Sequence, residues 1–391
     1  MKKRWYSVLV ILVFGLAGAC DSGGGGGGGG ADAGQDDVAE GEITEVDAVA
    51  EDTGAGENLW AAIPAASLGD VTQVIGFEAA AGSLYLTVNS PVSAGLFHMD
   101  WAEPDTGFVK VFEGKGHTLA TDAGIYMALW ENKAGSLVQV SLDGEPVDLA
   151  YNFEQREIKS MVFTDGLLYL LSKNWEVSEY QVNRGSAAAM QWEQLGDATN
   201  ETALGFHTDG ETVAVVTVGN EVPLGLNCRV IAANAVEGDV WTPCAGFPQH
   251  LGDGPMDPYS VNGGFTGEGA TMAGWFEILK TGQKTYEVQV GTIAGDWSVV
   301  EGLPQDRRPA AMLVAGGNVY VAYQGLGEGQ QVFSTPAGGG AATLVGGGLP
   351  ETGHDKSGVV GLATDEGKVF ALFQDYNAGG SMVTAYEFIG E

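Results

Sequence analysis

One pattern occurs seven times along this chain of 391 residues, and this repetition constrains the fold more than any other feature. Each copy has an apolar strand, a short turn containing glycine, and a second apolar strand with an aromatic residue. Examples are "SMVFTDGLLYLLS" from Ser160 and "AAMLVAGGNVYVAYQ" from Ala310; the loosest copy begins at Tyr259. The turn glycines, spaced 42 to 59 residues apart, are Gly82, Gly124, Gly166, Gly210, Gly269, Gly317 and Gly367.

A third strand follows in each copy, and most copies have a fourth that starts near an aromatic residue, as at Trp192, Trp241 and Trp297. Four short antiparallel strands in each unit of this length predict a seven-bladed β-propeller. The last copy stops after three strands, while "ENLWAAIPAASLGD" precedes the first copy. We therefore expect residues 58–63 to complete the seventh blade. A β-sandwich pair or an open solenoid is the alternative, but neither explains the spare strand.

The repeats resemble the broad class of secreted bacterial propellers that includes the NHL-like and YWTD-like groups. The resemblance rests on "TDG" at Thr164–Gly166 and Thr208–Gly210 and on the turn at Gly317–Tyr320. It covers residues 58–391 and implies the fold. It implies no particular activity, because the same fold carries many unrelated functions.

Residues 1–19 are predicted to be an export signal. Three basic residues precede a run from Trp5 to Ala19 that is apolar apart from Ser7, and its 15 residues are too few to span a membrane. Small residues precede Cys20, and this arrangement resembles the bacterial lipobox, with Ala17 at the place where leucine is usual. The resemblance implies cleavage before Cys20 and attachment of diacylglycerol and palmitate to it. An ordinary cleavage site is the alternative.

Residues 20–57 are predicted to be a disordered tether. Eight glycines are followed by an acidic stretch, and residues 21–57 hold eleven Asp and Glu but no Lys or Arg. The whole chain has a net charge of −34, of which −26 falls on residues 58–391. So acidic a domain repels phosphate, which argues against binding to nucleic acid and against docking on anionic lipid. Contact with the membrane is expected only through the lipid anchor.

Two cysteines remain for the folded domain, Cys228 and Cys244. The stretch between them is predicted to form two strands around a turn near Val236–Asp239. Facing positions on adjacent strands lie close to disulfide distance, and an exported protein meets an oxidising environment. We therefore predict a Cys228–Cys244 disulfide.

Candidate binding residues fall in the predicted loops that join one blade to the next, which lie on one face of a propeller around the mouth of its channel. Polar loops are also ordinary solvated loops, so no single residue is decisive. Ligands from different blades cannot be aligned from sequence, and we predict no metal site and no cofactor. The candidates are His117, Lys159, Glu201, His250, Asp257, Arg307, Arg308, His354 and Asp355.

The sequence contains no nucleophile-elbow, zinc-protease, EF-hand or phosphate-loop motif. The leading hypothesis is accordingly a lipid-anchored protein of the bacterial cell envelope, on the periplasmic face or outer surface, whose propeller binds an envelope protein or glycan without catalysis. The alternative is an envelope glycan hydrolase or lyase that uses carboxylates or histidine at the channel mouth. A pocket with two carboxylates about 5 to 10 Å apart would favour the enzyme.

Overall fold

The computed structural model describes residues 8–9, 59–89, 94–131, 134–142, 145–151, 155–219, 226–247, 259–280, 283–323, 331–350, 357–377 and 380–390. Cys20 and all of the predicted tether lie outside these residues, as do His250, Asp257, His354 and Asp355. The described part contains 29 strands and one turn of 3-10 helix, Pro104–Thr106.

The strands form seven antiparallel sheets, which are the blades of a seven-bladed β-propeller, as the repeats predict. The first and innermost strands of blades 1 to 7 are β3 (Gln73–Ala80), β7 (Gly116–Thr121), β11 (Arg156–Thr164), β15 (Thr202–Thr208), β19 (Tyr259–Glu268), β23 (Pro309–Ala315) and β27 (Gly358–Asp365). The second strands are β4 (Ser83–Asn89), β8 (Gly124–Glu131), β12 (Leu167–Asn174), β16 (Thr212–Val218), β20 (Thr271–Lys280), β24 (Asn318–Tyr323) and β28 (Lys368–Asn377).

The outer half of each blade consists of the third and fourth strands. The third strands are β5 (Gly95–Asp100), β9 (Ala134–Val140), β13 (Glu179–Ser186), β17 (Leu226–Ala232), β21 (Gln283–Thr292), β25 (Gln331–Pro336) and β29 (Gly380–Phe388). The outermost strands are β6 (Val109–Phe112), β10 (Val147–Asp148), β14 (Gln191–Thr199), β18 (Thr242–Pro243), β22 (Gly295–Val299), β26 (Thr343–Leu344) and β2 (Trp60–Gly69). A further two-residue strand, β1 (Val8–Leu9), pairs with β19 and belongs to the predicted signal peptide.

The two ends of the chain close the ring in blade 7. Strand β2 pairs with β29, from Trp60 opposite Phe388 to Gly69 opposite Met382. Trp60 is only 2% exposed and belongs to an apolar cluster shared by blades 6 and 7. The predicted closing strand is confirmed, and it continues past residue 63 through an irregularity around Ala65, which has a positive φ of 55°.

Tryptophans on the outermost strands repeat one contact between blades. The indole N–H of Trp60 donates to the Val345 carbonyl, and that of Trp192 donates to the Leu149 carbonyl at 2.9 Å. In each case the acceptor follows the outermost strand of the preceding blade. Each tryptophan therefore buries apolar surface between blades and also satisfies its own polar group.

The turns between first and second strands lie on the side of the ring opposite the loops that join one blade to the next. These turns form hydrogen bonds between neighbouring blades. All seven predicted turn glycines have positive φ, a conformation that favours glycine. The Gly82 N–H of blade 1 donates to Asp365 Oδ2 of blade 7 at 2.7 Å. His207 Nε2–H of blade 4 donates to the Gly269 carbonyl of blade 5 at 2.8 Å. Burial lowers the pKa of His207, so we assign it a structural role.

The predicted disulfide is present in blade 4. Cys228 on β17 and Cys244 after β18 are bonded, with their Cα atoms 5.2 Å apart, and the Cys244 N–H donates to the Cys228 carbonyl at 2.8 Å. The turn between the two strands is also where the sequence places it, since the Asp239 N–H donates to the Val236 carbonyl.

Candidate functional site

A cavity of about 480 Å³ opens between blades 3 and 4. Its walls come from β12, β13 and β14 of blade 3, from β16 and β17 of blade 4, and from the segments next to them. The lining residues are Leu171, Glu179, Tyr180, Gln181, Val182, Asp197, Ala198, Thr199, Asn200, Glu201, Val215, Thr217, Arg229, Val240 and Trp241.

Glu201 is held rigidly at this cavity. It lies in the two-residue connection between β14 and β15, where the sequence predicts an inter-blade loop. Its carboxylate accepts hydrogen bonds from Thr217 Oγ1 at 2.5 Å, from Arg229 Nη2 at 2.6 Å and from Asn227 Nδ2 at 3.4 Å. The Glu201 side chain is 14% exposed, whereas that of Arg229 is 40% exposed. The guanidinium therefore retains N–H donors that face solvent at the cavity.

Trp241 forms the aromatic wall of the cavity. Its indole N–H donates to the Asp197 carbonyl at 3.0 Å, which attaches blade 4 to the outermost strand of blade 3. Gly196 has a φ of 59°, and a Cβ there would approach Trp241 Nε1 to 2.6 Å. A glycine is therefore required for the indole to lie against this backbone. Val240 beside it is 76% exposed.

A row of side chains crosses blade 3 next to the cavity. Glu157, Lys173, Tyr180 and Thr199 lie directly opposite one another on β11, β12, β13 and β14, so their side chains share one face of the sheet. Tyr180 and Thr199 line the cavity. The charged end of the row, which is Glu157 and Lys173, therefore adjoins the cavity.

Four residues at this charged end are in mutual contact, and we call Glu157, Lys159, Lys173 and Trp175 the blade-3 cluster. Lys159 Nζ lies 2.7 Å from Glu157 Oε2, and the Trp175 indole N–H donates to the same carboxylate at 2.7 Å. Lys173 Nζ lies 3.9 Å from the centre of the Trp175 ring. Burial, reinforced by the positive charge of Lys159, lowers the pKa of Lys173.

Two of the sequence candidates lie in strands, and their predicted placement in loops is wrong. His117 belongs to β7 and Lys159 to β11. Their strands begin before the apolar run because antiparallel pairing continues through polar residues, and a bulge between Ile158 and Ser160 accommodates Lys159. The two side chains are close enough to interact. Burial first, and the charge of Lys159 second, lower the pKa of His117 to about 4.

Arg307 and Arg308 precede β23, in an inter-blade loop as predicted, but they belong to blades 5 and 6. The Arg308 guanidinium lies 4.8 Å from the centre of the Trp275 ring. Sequence reasoning missed Arg229, Trp241, Lys173, Trp175 and Glu157, because they lie within strands or hairpins. A charged residue inside a predicted apolar strand, such as Lys173 after "LLYLLS", is the signal that could have found them.

The described residues contain no group of three or more His, Cys, Asp or Glu side chains arranged to hold a metal ion. Across the same residues, no helix has the length and apolar character needed to cross a membrane.

Comparison with solved structures finds other β-propellers. The β-propeller domain of the trilobed protease from Pyrococcus furiosus, described as having an open velcro topology, superposes with a TM-score of 0.56 at 9% identity, over 83% of this chain and 97% of that one. A puromycin-hydrolyzing peptidase from Mycobacterium tuberculosis gives 0.51 at 13% identity, over 81% of this chain. This chain spans 52% of that peptidase.

An oligogalacturonate lyase from Vibrio parahaemolyticus gives a TM-score of 0.51 at 10% identity, over 79% of this chain and 87% of the lyase. The likeness is one of fold. No protein-family model matches the sequence, and no curated protein sequence matches it. The pairing of β2 with β29 distinguishes this ring from an open one.

Proposed function

We propose that this chain is a lipid-anchored protein of the bacterial envelope whose propeller binds a polar ligand at the cavity between blades 3 and 4, without catalysis. The observation that carries the proposal is the Glu201–Arg229 pair at the cavity, with Trp241 as an aromatic wall. The pair presents both a hydrogen-bond acceptor and several donors, while the indole offers a flat apolar face. This combination suits a glycan or a polar protein segment.

The hydrogen bonds of Glu201 favour binding over chemistry. Its two carboxylate oxygens are already engaged by a hydroxyl, an amide and a guanidinium. A carboxylate that transfers a proton needs an oxygen free to reach the substrate. Held in this way, Glu201 positions Arg229 instead.

A substitution that fills the cavity tests this proposal. Ala198→Trp puts a large ring into the cavity lining, and we expect binding of the ligand to fall at least tenfold. The full chain would be immobilised and exposed to glycan and protein fractions of bacterial envelopes, with the bound material quantified by mass spectrometry. Ala188→Trp is the matched control, because Ala188 is exposed in the turn between β13 and β14. Equal capture by both variants and the wild type would exclude the cavity as the site.

Anchoring through Cys20 is tested separately. Cys20→Ser is expected to block maturation and to move the protein from the detergent phase to the aqueous phase, because the diacylglycerol can no longer be attached. Phase partitioning and the mass of the mature N-terminus measure this. Cys244→Ser is the matched control and should still partition into detergent. A Cys20→Ser protein that matures normally and stays in detergent would refute the lipoprotein proposal.

Glycan cleavage is the second candidate function. Three carboxylates, those of Glu179, Asp197 and Glu201, line the same cavity, and an oligogalacturonate lyase shares the fold. If the chain is such an enzyme, incubation with envelope or uronate glycans should produce new reducing ends or the ultraviolet absorbance of an unsaturated product. Asp197→Asn, which changes a cavity carboxylate other than the engaged Glu201, should then abolish turnover while the protein still folds. If neither product forms, cleavage of these glycans is excluded and the proposed binding role stands.

A further inference from the structure

Three basic side chains lie on the inner strands of blade 3, although the blade, like the whole domain, holds more acidic than basic residues. Arg156, Lys159 and Lys173 lie on its two inner strands, whereas residues 58–391 carry a net charge of −26. Arg156 pairs with Glu179 at 2.8 Å, and Lys159 pairs with Glu157 at 2.7 Å. Among the described residues, Lys173 has no carboxylate at ion-pair distance. The blade-3 cluster therefore holds two ammonium groups and one carboxylate, that of Glu157, which pairs with Lys159 and lies opposite Lys173.

Trp175 stands beside this charge with much of its ring uncovered. It lies in the turn between β12 and β13 and is 48% exposed. Its orientation is nevertheless fixed, because its indole N–H donates to Glu157 and Lys173 lies against its ring. A large aromatic side chain that is both exposed and held in place can receive the face of another ring at little further cost in conformational entropy.

Lys173 is only partly buried. Burial and the neighbouring Lys159 lower its pKa, while the Glu157 carboxylate opposes that shift. An anion at this position would accept a charge-assisted hydrogen bond from the Lys173 ammonium group. The acidity of the rest of the domain does not prevent such binding, because screening at physiological salt limits exposed charges to a range of about 8 Å.

We propose that the blade-3 cluster is a subsite for a uronic-acid residue of a glycan. The uronate carboxylate binds Lys173, the sugar face lies on Trp175, and a sugar hydroxyl donates to Glu157. Tyr180, whose ring lies 5.4 Å from Lys173 Nζ, also lines the cavity, so the subsite adjoins the cavity. The inference rests on the proposed function only in placing a glycan on this side of blades 3 and 4.

Calorimetric titration of the full chain tests the subsite with two matched probes, tetragalacturonate and its methyl ester, which lacks the charge. We expect the acid to bind at least tenfold more tightly than the ester. Lys173→Gln should remove that difference, and Lys173→Arg should retain it because the charge remains. Trp175→Ala should weaken binding of both probes. Lys110→Gln, the same change at a lysine paired with Glu113 in blade 1, should have no effect.

Three results would overturn the inference: equal affinity for the acid and the ester, an unchanged acid affinity in Lys173→Gln, or no binding of the acid. A tetraglutamate peptide that bound as tightly as tetragalacturonate would overturn the assignment to a sugar. Thermal melting of each variant checks that it folds. If the titrations fail but Ala198→Trp still lowers capture of envelope material, the uronate subsite is wrong and the proposed function stands.

Discussion

A chain that begins at residue 71 is expected to melt at least about 10 °C below one that begins at residue 58. The reason is that residues 59–70 include all of β2, which completes blade 7 and joins the two ends of the ring. Within β2, Trp60, Ile63 and Ala66 are buried. Losing a buried tryptophan costs about 3 to 5 kcal/mol, and each kcal/mol shifts the melting temperature of a large domain by about 2 °C or more.

The truncation should also change solubility, because it leaves β29 as an unpaired edge strand that can add to another chain. Scanning calorimetry and light scattering of the two chains measure both effects. Trp60→Ala in the longer chain should give an intermediate loss, which separates burial of the indole from loss of the strand. If the chains that begin at residues 58 and 71 melt at the same temperature, β2 does not stabilise the ring.

Removing the disulfide is expected to destabilise the domain by about 3 kcal/mol. The bond joins residues separated by 16 positions, so it limits the freedom of the unfolded chain around the loop that leads to Trp241. The double variant Cys228→Ser, Cys244→Ser should therefore unfold at lower denaturant than the oxidised wild type. Equilibrium unfolding followed by circular dichroism gives the free energy.

The reduced wild type is the internal control, and it should behave like the double variant. Loss of the bond should weaken ligand capture as well, because Arg229 follows Cys228 directly and pairs with Pro243 across the same two strands. An unfolding midpoint that neither the double variant nor reductant changes would mean that the disulfide adds no stability.

The arrangement of strands and turns into blades was largely predictable because it depends on local chemistry. Turn glycines such as Gly82 and Gly166 mark hairpins through their positive φ, and alternation of apolar residues marks the strands on either side. Trp60 could be assigned to the missing strand because it resembles the other outer-strand tryptophans. The two-residue strands β10, β18 and β26 were less visible, since so short a strand has no periodicity of its own.

The candidate site was only partly predictable. Glu201 was found because it lies in a short polar connection between two apolar strands. Lys159 was assigned to a loop, because a bulge within β11 cannot be distinguished from a loop residue in the sequence alone. Arg229 and Lys173 were missed because their roles depend on contacts with Glu201, in the connection between β14 and β15, and with Trp175, in the turn after β12.

The sequence by itself determined the number of blades, the closing strand and the cysteine pair, since each follows from spacing along the chain. Only the tertiary structure decided where a cavity forms and which side chains meet at it. The shape of the cavity depends on the spacing between blades 3 and 4, and the charge balance around Lys173 depends on which carboxylates lie near it in space. Both are distances between segments that sequence periodicity does not specify.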